Sequence, residues 1–218
     1  MTFVGRYRHL PIVAGVALGV ASFCADLVGG LPGAVLQWAA STGFAWGCLA
    51  LVVAFAARTR SAAIGAAMAV LGLATVCYYG LNLAGDRWRA AGLGPVLTAL
   101  AYWLLLSVLS GAVLGVLAHT VRTDPTPRAS AAAGLACGLL AGAGIAVVVT
   151  LVARGVDERA RVVEGALQAM AGIAVATWMF GRRRGPRSWV AYATSALVAC
   201  TAAALAWSAV ESVPVVGF

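Results

Sequence analysis

Hydrophobic residues run along this chain in long stretches, and the polar residues inside those stretches fall at helical spacings. Seven stretches, about 10–31, 41–57, 61–84, 94–118, 129–153, 162–180 and 188–210, are long enough for membrane-spanning helices, which need about 20 apolar residues. The second is the shortest. Between the first and second, Pro32–Ala40 holds Pro, Gly, Gln37 and Trp38, the composition of an interfacial turn or of a broken helix. In the third, Thr75, Tyr78, Asn82 and Asp86 recur at spacings of three and four, with Tyr79 beside them. Such a stripe lies on one helix face and does not face lipid. Glycines repeat at four-residue spacing as Gly15/Gly19, Gly111/Gly115 and Gly134/Gly138/Gly142. Small residues at that spacing let helix backbones approach closely in lipid. Gly15, Gly19, Ser22 and Asp26 share a face, so inward glycines turn Asp26 inward too.

The pattern therefore predicts an all-α, polytopic membrane bundle of seven transmembrane helices forming one domain over residues 1–218. Composition agrees: the chain is 62% hydrophobic and 10% charged, with a mean hydropathy of +0.95. The net charge of +8 comes wholly from arginine, since lysine is absent. Those arginines sit in clusters between apolar runs, where topology explains them and nucleic-acid binding is not needed. Arg6, Arg8, Arg58, Arg60, Arg122, Arg128, Arg182, Arg183, Arg184 and Arg187 fall on one side, against Arg87, Arg89, Arg154, Arg159 and Arg161 on the other. By the positive-inside rule the N-terminus is cytoplasmic and the C-terminus external, as expected in a bacterial inner (plasma) membrane. The N-terminal run has the charge order of a signal peptide but continues to Leu31, so it reads as an uncleaved first span.

An internal repeat is also visible. Ala14-Gly-Val-Ala-Leu-Gly-Val20 aligns with Ala133-Gly-Leu-Ala-Cys-Gly-Leu139, and each is followed by a span ending in an arginine cluster and then by a Ser-led span. Spans one to three then match five to seven, with the fourth as connector, a parallel 3+1+3 plan.

The candidate chemistry lies in the outer half. Asp26, Glu164 and Glu211 are carboxyls near spans, where an acid costs about 2.5–3.5 kcal/mol at the helix centre and generally has a partner or a task. Asp26 and Glu164 are expected to face the bundle interior. Trp46, Tyr78, Tyr79, Asn82, Tyr102, Trp103, Gln168 and Trp207 would line a substrate pocket with them. Asp86 beside Arg87 and Arg89, and Asp157 and Glu158 beside Arg159 and Arg161, read as loop ion pairs. The five cysteines are isolated within apolar runs and read as small buried hydrophobes. No metal site or cofactor is indicated, and without lysine there is no retinal Schiff base.

Ser41-Thr-Gly-Phe-Ala-Trp46 and the Tyr78-Tyr79 pair resemble motifs of an uncharacterised family of small bacterial multi-pass membrane proteins, over about residues 12–185. The layout of spans, buried acids and aromatics is loosely similar to that of the transmembrane terpene cyclases, and the 3+1+3 plan to that of sugar-exporting facilitators. The family resemblance implies the membrane architecture and nothing beyond it; a hydrophobic small-molecule substrate is the expectation that goes with the cyclase-like layout. Three functions stay open: an acid-initiated isoprenoid cyclase, in which a protonated carboxyl starts the reaction and aromatic faces shelter the cation; a small-solute or proton-coupled transporter or membrane binding component; and a non-catalytic membrane protein. The oligomeric state is not encoded in any of these features.

Overall fold

The computed structural model describes residues 9–85, 92–153, 155, 158–182 and 186–211, excepting the side chains of 31 and 207–211. The described elements are helices: α1 (Leu10–Ala25), α2 (Gly30–Leu36), a π-helical turn (Gln37–Ser41), α3 (Gly43–Ala56), α4 (Arg60–Ala84), α5 (Leu93–Thr123), α6 (Pro127–Ala153), α7 (Arg159–Arg182) and α8 (Trp189–Glu211). Threonines open two of them. Thr42 Oγ1 accepts the Ala45 N–H and Thr59 Oγ1 the Ala62 N–H, each at 3.2 Å, which satisfies donors that a helix start leaves over.

Among the described residues the expected spans take the form of several apolar helices, not all of them full-length. Five helices, α4 to α8, are long and apolar enough to cross a membrane alone. The pair Pro32–Ser41 and Gly43–Ala56, bent by 48°, is long and apolar enough only when taken together, as a broken span or a re-entrant loop. The first helix stops at Ala25 and not at Leu31; at 16 residues it is about 24 Å long, short of a hydrocarbon core of about 30 Å. Past its cap at Asp26 the chain runs through the extended Gly29 into Gly30, whose left-handed φ of +70° opens α2 in a new direction and keeps it from continuing α1. The span expected at 41–57 is accordingly α3 with a bent lead-in, the broken-helix alternative for Pro32–Ala40.

The chain divides into two compact units at Val116/Leu117, within α5. In the first, α1 and α3 both pack on α4. A Cβ on Gly15 would lie 2.8 Å from the Val70 carbonyl oxygen and one on Gly19 2.5 Å from that of Ala74, so these backbones touch where only glycine fits. From α5, Gly111 and Gly115 meet Met68 and Ile64 of α4 in the same way. One buried polar contact joins this pair: the Thr75 and Ser107 hydroxyls are 2.9 Å apart, and Thr75 also donates to the Leu71 carbonyl.

In the second unit α6 is the central helix. Gly134, Gly138 and Gly142 lie against α8, on Tyr192, Ala196 and Cys200, while Ser195 Oγ donates to the Ala131 carbonyl at 2.9 Å. Toward α7, Gly144 meets Gly165, and Gly172 meets Leu140 and Ala141. Phe180, Trp189 and Tyr192 form an aromatic cluster, edge-on at Trp189 and tilted between Phe180 and Tyr192, with the Tyr192 hydroxyl 3.3 Å from that of Thr177. All three glycine sets thus serve internal packing, as their spacing predicts.

Gly138→Ala should destabilise the protein by about 1–3 kcal/mol, because its Cβ has no room against the α8 backbone. Gly65→Ala, on open surface, should be neutral or stabilise by about 0.5–1 kcal/mol. Unfolding midpoints of both variants in mixed detergent micelles test the pair, and the opposite order would contradict the packing.

Candidate functional site

The break between α2 and α3 creates a chemical problem that the first unit solves with side chains. Thr42 is extended (φ −88°, ψ 143°), so the helical ladder is interrupted and the Ala40 carbonyl loses its helical partner. In apolar surroundings an unpaired carbonyl costs about 1–3 kcal/mol. Ala40 O instead accepts two donors, Ser22 Oγ from α1 and Trp46 Nε1 from α3, both at 2.6 Å. Ser22 Oγ also accepts the Trp46 N–H at 3.2 Å, and Ser41 Oγ donates back to the Ser22 carbonyl at 3.3 Å. Thr42 Oγ1 donates to the Trp38 carbonyl at 3.1 Å. Ser22 is 1% exposed, so its hydroxyl is buried where α1, the π turn and α3 meet.

One turn beyond Ser22, at the end of α1, Asp26 is half-buried. Its Oδ2 accepts the Tyr78 hydroxyl at 2.7 Å, tying α1 to the polar stripe of α4. On that stripe Thr75 and Asn82 are each 1% exposed and Tyr79 is buried. The Asn82 amide donates to the Tyr78 carbonyl at 2.9 Å, and the Tyr78 and Tyr79 rings meet edge-on at 5.6 Å. The inward stripe is as the spacing predicts, and so is an inward-turned Asp26.

Beside this junction, α1, the π turn and α3 leave an open groove of about 450 Å³. Its walls are Leu18, Trp38, Ala39, Phe44, Ala45, Cys48, Leu49 and Val52, so it runs from the π turn along α3. Trp38 is half-buried, yet its indole N–H is shielded from solvent and has no hydrogen-bond partner.

The other expected site residues fall as follows. Trp46 holds the break through its N–H and is not among the groove's walls, although Phe44 and Ala45 are. Tyr102 and Trp103 form an edge-on pair at 5.7 Å on α5, both half-buried. Glu164 is exposed, contrary to its expected inward orientation, and accepts the Gln168 side-chain amide at 3.4 Å. Its neighbour Gly165 takes the inward position on α7. Asp26 belongs to the first unit, Glu164 and Gln168 to the second. The side chains of Trp207 and Glu211 lie outside the described residues, as do Asp86, Arg87, Arg89 and Asp157. Glu158 pairs with Arg161 at 3.1 Å, an exposed ion pair between the expected partners, at the start of α7. Of the five cysteines expected to be buried only Cys137 is; Cys48, Cys77 and Cys200 are half-buried and Cys24 is exposed. The groove residues Trp38, Phe44 and Cys48 were the ones sequence reasoning left out of the site. The available signal was the Gly29-Gly30-x-Pro32 break followed by Gln37-Trp38 within an apolar region.

The sequence matches a family of unknown function, DUF6518, over residues 4–213. Neither the curated proteins nor the solved structures contain a match.

Ser22→Ala and Trp46→Phe should each cost about 1 kcal/mol, since the Ala40 carbonyl keeps one donor. The double variant strands that carbonyl and should lose about 1–2 kcal/mol more than the sum of the two singles. A double-mutant cycle on micellar unfolding measures the excess, and strict additivity would show that the carbonyl does not depend on this pair.

Proposed function

The chain belongs to DUF6518, a family of unknown function, and we propose a role read from its own site: a membrane-embedded binding component for a lipidic molecule. The groove along α3 carries this reading. Its volume of about 450 Å³ and its aromatic and aliphatic walls suit a hydrophobic chain, and small-molecule sites commonly measure about 300–1,000 Å³. Binding fits the geometry better than proton donation does. A cyclase started by Asp26, Glu164 or Glu211 needs its acid at the wall of the substrate pocket. Asp26 instead accepts a hydrogen bond from Tyr78 and is not among the groove residues, and Glu164 is exposed on its helix.

One observation favours a second reading, a small-solute transporter built from two repeated halves. Gly15 meets Val70 O and Leu73 Cβ; its repeat partner Gly134 meets Tyr192 O and Ser195 Oγ. Gly19 meets Ala74 O and Cys77 Cβ; Gly138 meets Ala196 O and Ala199 Cβ. All four receiving positions move by one constant shift, so the first helix of each half packs on the third in the same register. This supports the 3+1+3 parallel duplication, a plan found in transporters. Counting α1 and the bent pair as one crossing each gives seven, with the N-terminus cytoplasmic and the C-terminus outside in the plasma membrane, as the arginine distribution favours.

Native mass spectrometry of the purified protein should show a co-purified lipidic adduct that Cys48→Trp, which fills the groove, abolishes; an adduct that survives this substitution would remove the groove from the reading. In a background without native cysteines, a membrane-impermeant thiol reagent added to cells should modify a cysteine placed at Gly217 and spare one at Thr126. The reverse pattern would invert the topology.

A further inference from the structure

Two arginines where α7 ends are held in place by the second unit without being neutralised. The Arg182 guanidinium lies over the Trp178 ring, 5.1 Å from its centroid. Such stacking engages the flat face of a guanidinium and leaves its N–H edge free to bond. Arg187 donates from Nη2 to the Gly181 carbonyl at 2.8 Å, which satisfies an acceptor at the end of α7 and sets the Arg187 head beside the peptide that carries Arg182. Neither guanidinium meets a carboxylate among the described residues. The sequence offers none nearby, since residues 165–210 include Arg182, Arg183, Arg184 and Arg187 and no acid.

The surroundings are those of a membrane interface. Trp178 is 42% exposed and Trp189, which opens α8, is 60% exposed; tryptophan at helix ends sits at the level of lipid headgroups. The Trp189 ring is steadied by the buried Phe180 at 4.7 Å. On the Trp178 face of α7, running away from the arginines, Ala174, Met170 and Leu167 are exposed. Together they make an apolar track of about 16 Å, enough for most of an acyl chain.

We infer that this end of α7 binds an anionic phospholipid, with Arg182 and Arg187 donating to its phosphodiester and one chain lying along Trp178 and Leu167. The site is separate from the groove on α3 and does not rest on the binding reading above. Ring stacking on one guanidinium and the carbonyl bond on the other already restrict both side chains, so less rotamer freedom is lost on binding than for free surface arginines. The charge selects the headgroup. With no acid beside the arginines, nothing here attracts the cation of a zwitterionic lipid, whereas the uncompensated positive charge favours a net negative one.

Native mass spectrometry of the full-length protein, in micelles doped with phosphatidylglycerol or phosphatidylcholine of identical chains, tests the site. Phosphatidylglycerol should bind more tightly. Arg182→Gln and Arg187→Gln should each weaken it about fivefold, the effect of one arginine at a membrane surface. Arg128→Gln, an exposed arginine at the start of α6 and thus at the same end of the unit, should change it less than about twofold. Trp178→Leu keeps every charge and should still weaken binding about two- to fivefold, because the Arg182 head loses its ring. Since Arg187 also caps α7, Arg182→Gln and Trp178→Leu carry the test if Arg187→Gln fails to fold. A loss from Arg128→Gln as large as that from Arg182→Gln, or no loss from Trp178→Leu, would reduce the effect to diffuse attraction and overturn the site. Equal binding of the two lipids by the native protein would overturn it as well. Displacement of phosphatidylglycerol by millimolar inorganic phosphate would assign the arginine pair to a soluble anion and overturn the lipid assignment.

Discussion

Helices in lipid gain little from hiding apolar surface from one another, so their association rests on close backbone contact. In this protein that constraint is met by glycine at the places where carbonyl oxygens of a neighbouring helix approach most nearly. Gly15 and Gly19 set α1 on α4; Gly134, Gly138 and Gly142 set α6 on α8. Everything polar follows from these approaches. Only because α1 sits so close to α4 does Asp26 come within 2.7 Å of the Tyr78 hydroxyl. The same placement of α1 holds Ser22 where it can reach the carbonyl left open by the break before α3.

The parts of the fold that were legible in the sequence are those governed by a single periodicity. The stripe of Thr75, Tyr78 and Asn82 was readable because its spacing is helical and its residues are polar in an apolar run. The glycine ladders were readable for the same reason. What periodicity does not reveal is where a helix ends inside an apolar stretch: Leu27, Val28 and Leu31 look like continuation, yet α1 stops at Ala25 and a new helix opens at Gly30. The α7 face was misjudged because the acid was taken as its marker. Gly165, Ala169, Gly172 and Ala176 form the inward stripe, and next to that row of small residues Glu164 turns outward. In a membrane, small residues are a stronger guide to the inner face than isolated acids near a helix start.

The candidate site was only half legible because it is made by a backbone irregularity. Trp46 was expected to line the pocket, but its ring nitrogen is committed to the Ala40 carbonyl. The groove lies on the other side of that commitment, walled by residues that individually look like ordinary lipid-facing hydrophobes. No composition rule separates Cys48, Leu49 and Val52 from the rest of α3. They become a site through the bend, which turns the π turn and α3 into two walls meeting Leu18 of α1.

The shortness of α1 has a consequence for the surrounding bilayer. A helix of about 24 Å beside α4, whose 25 residues measure about 37 Å, presents two different hydrophobic lengths to the same lipid annulus. Such mismatch is relieved by local thinning, at fractions of a kcal/mol per Å.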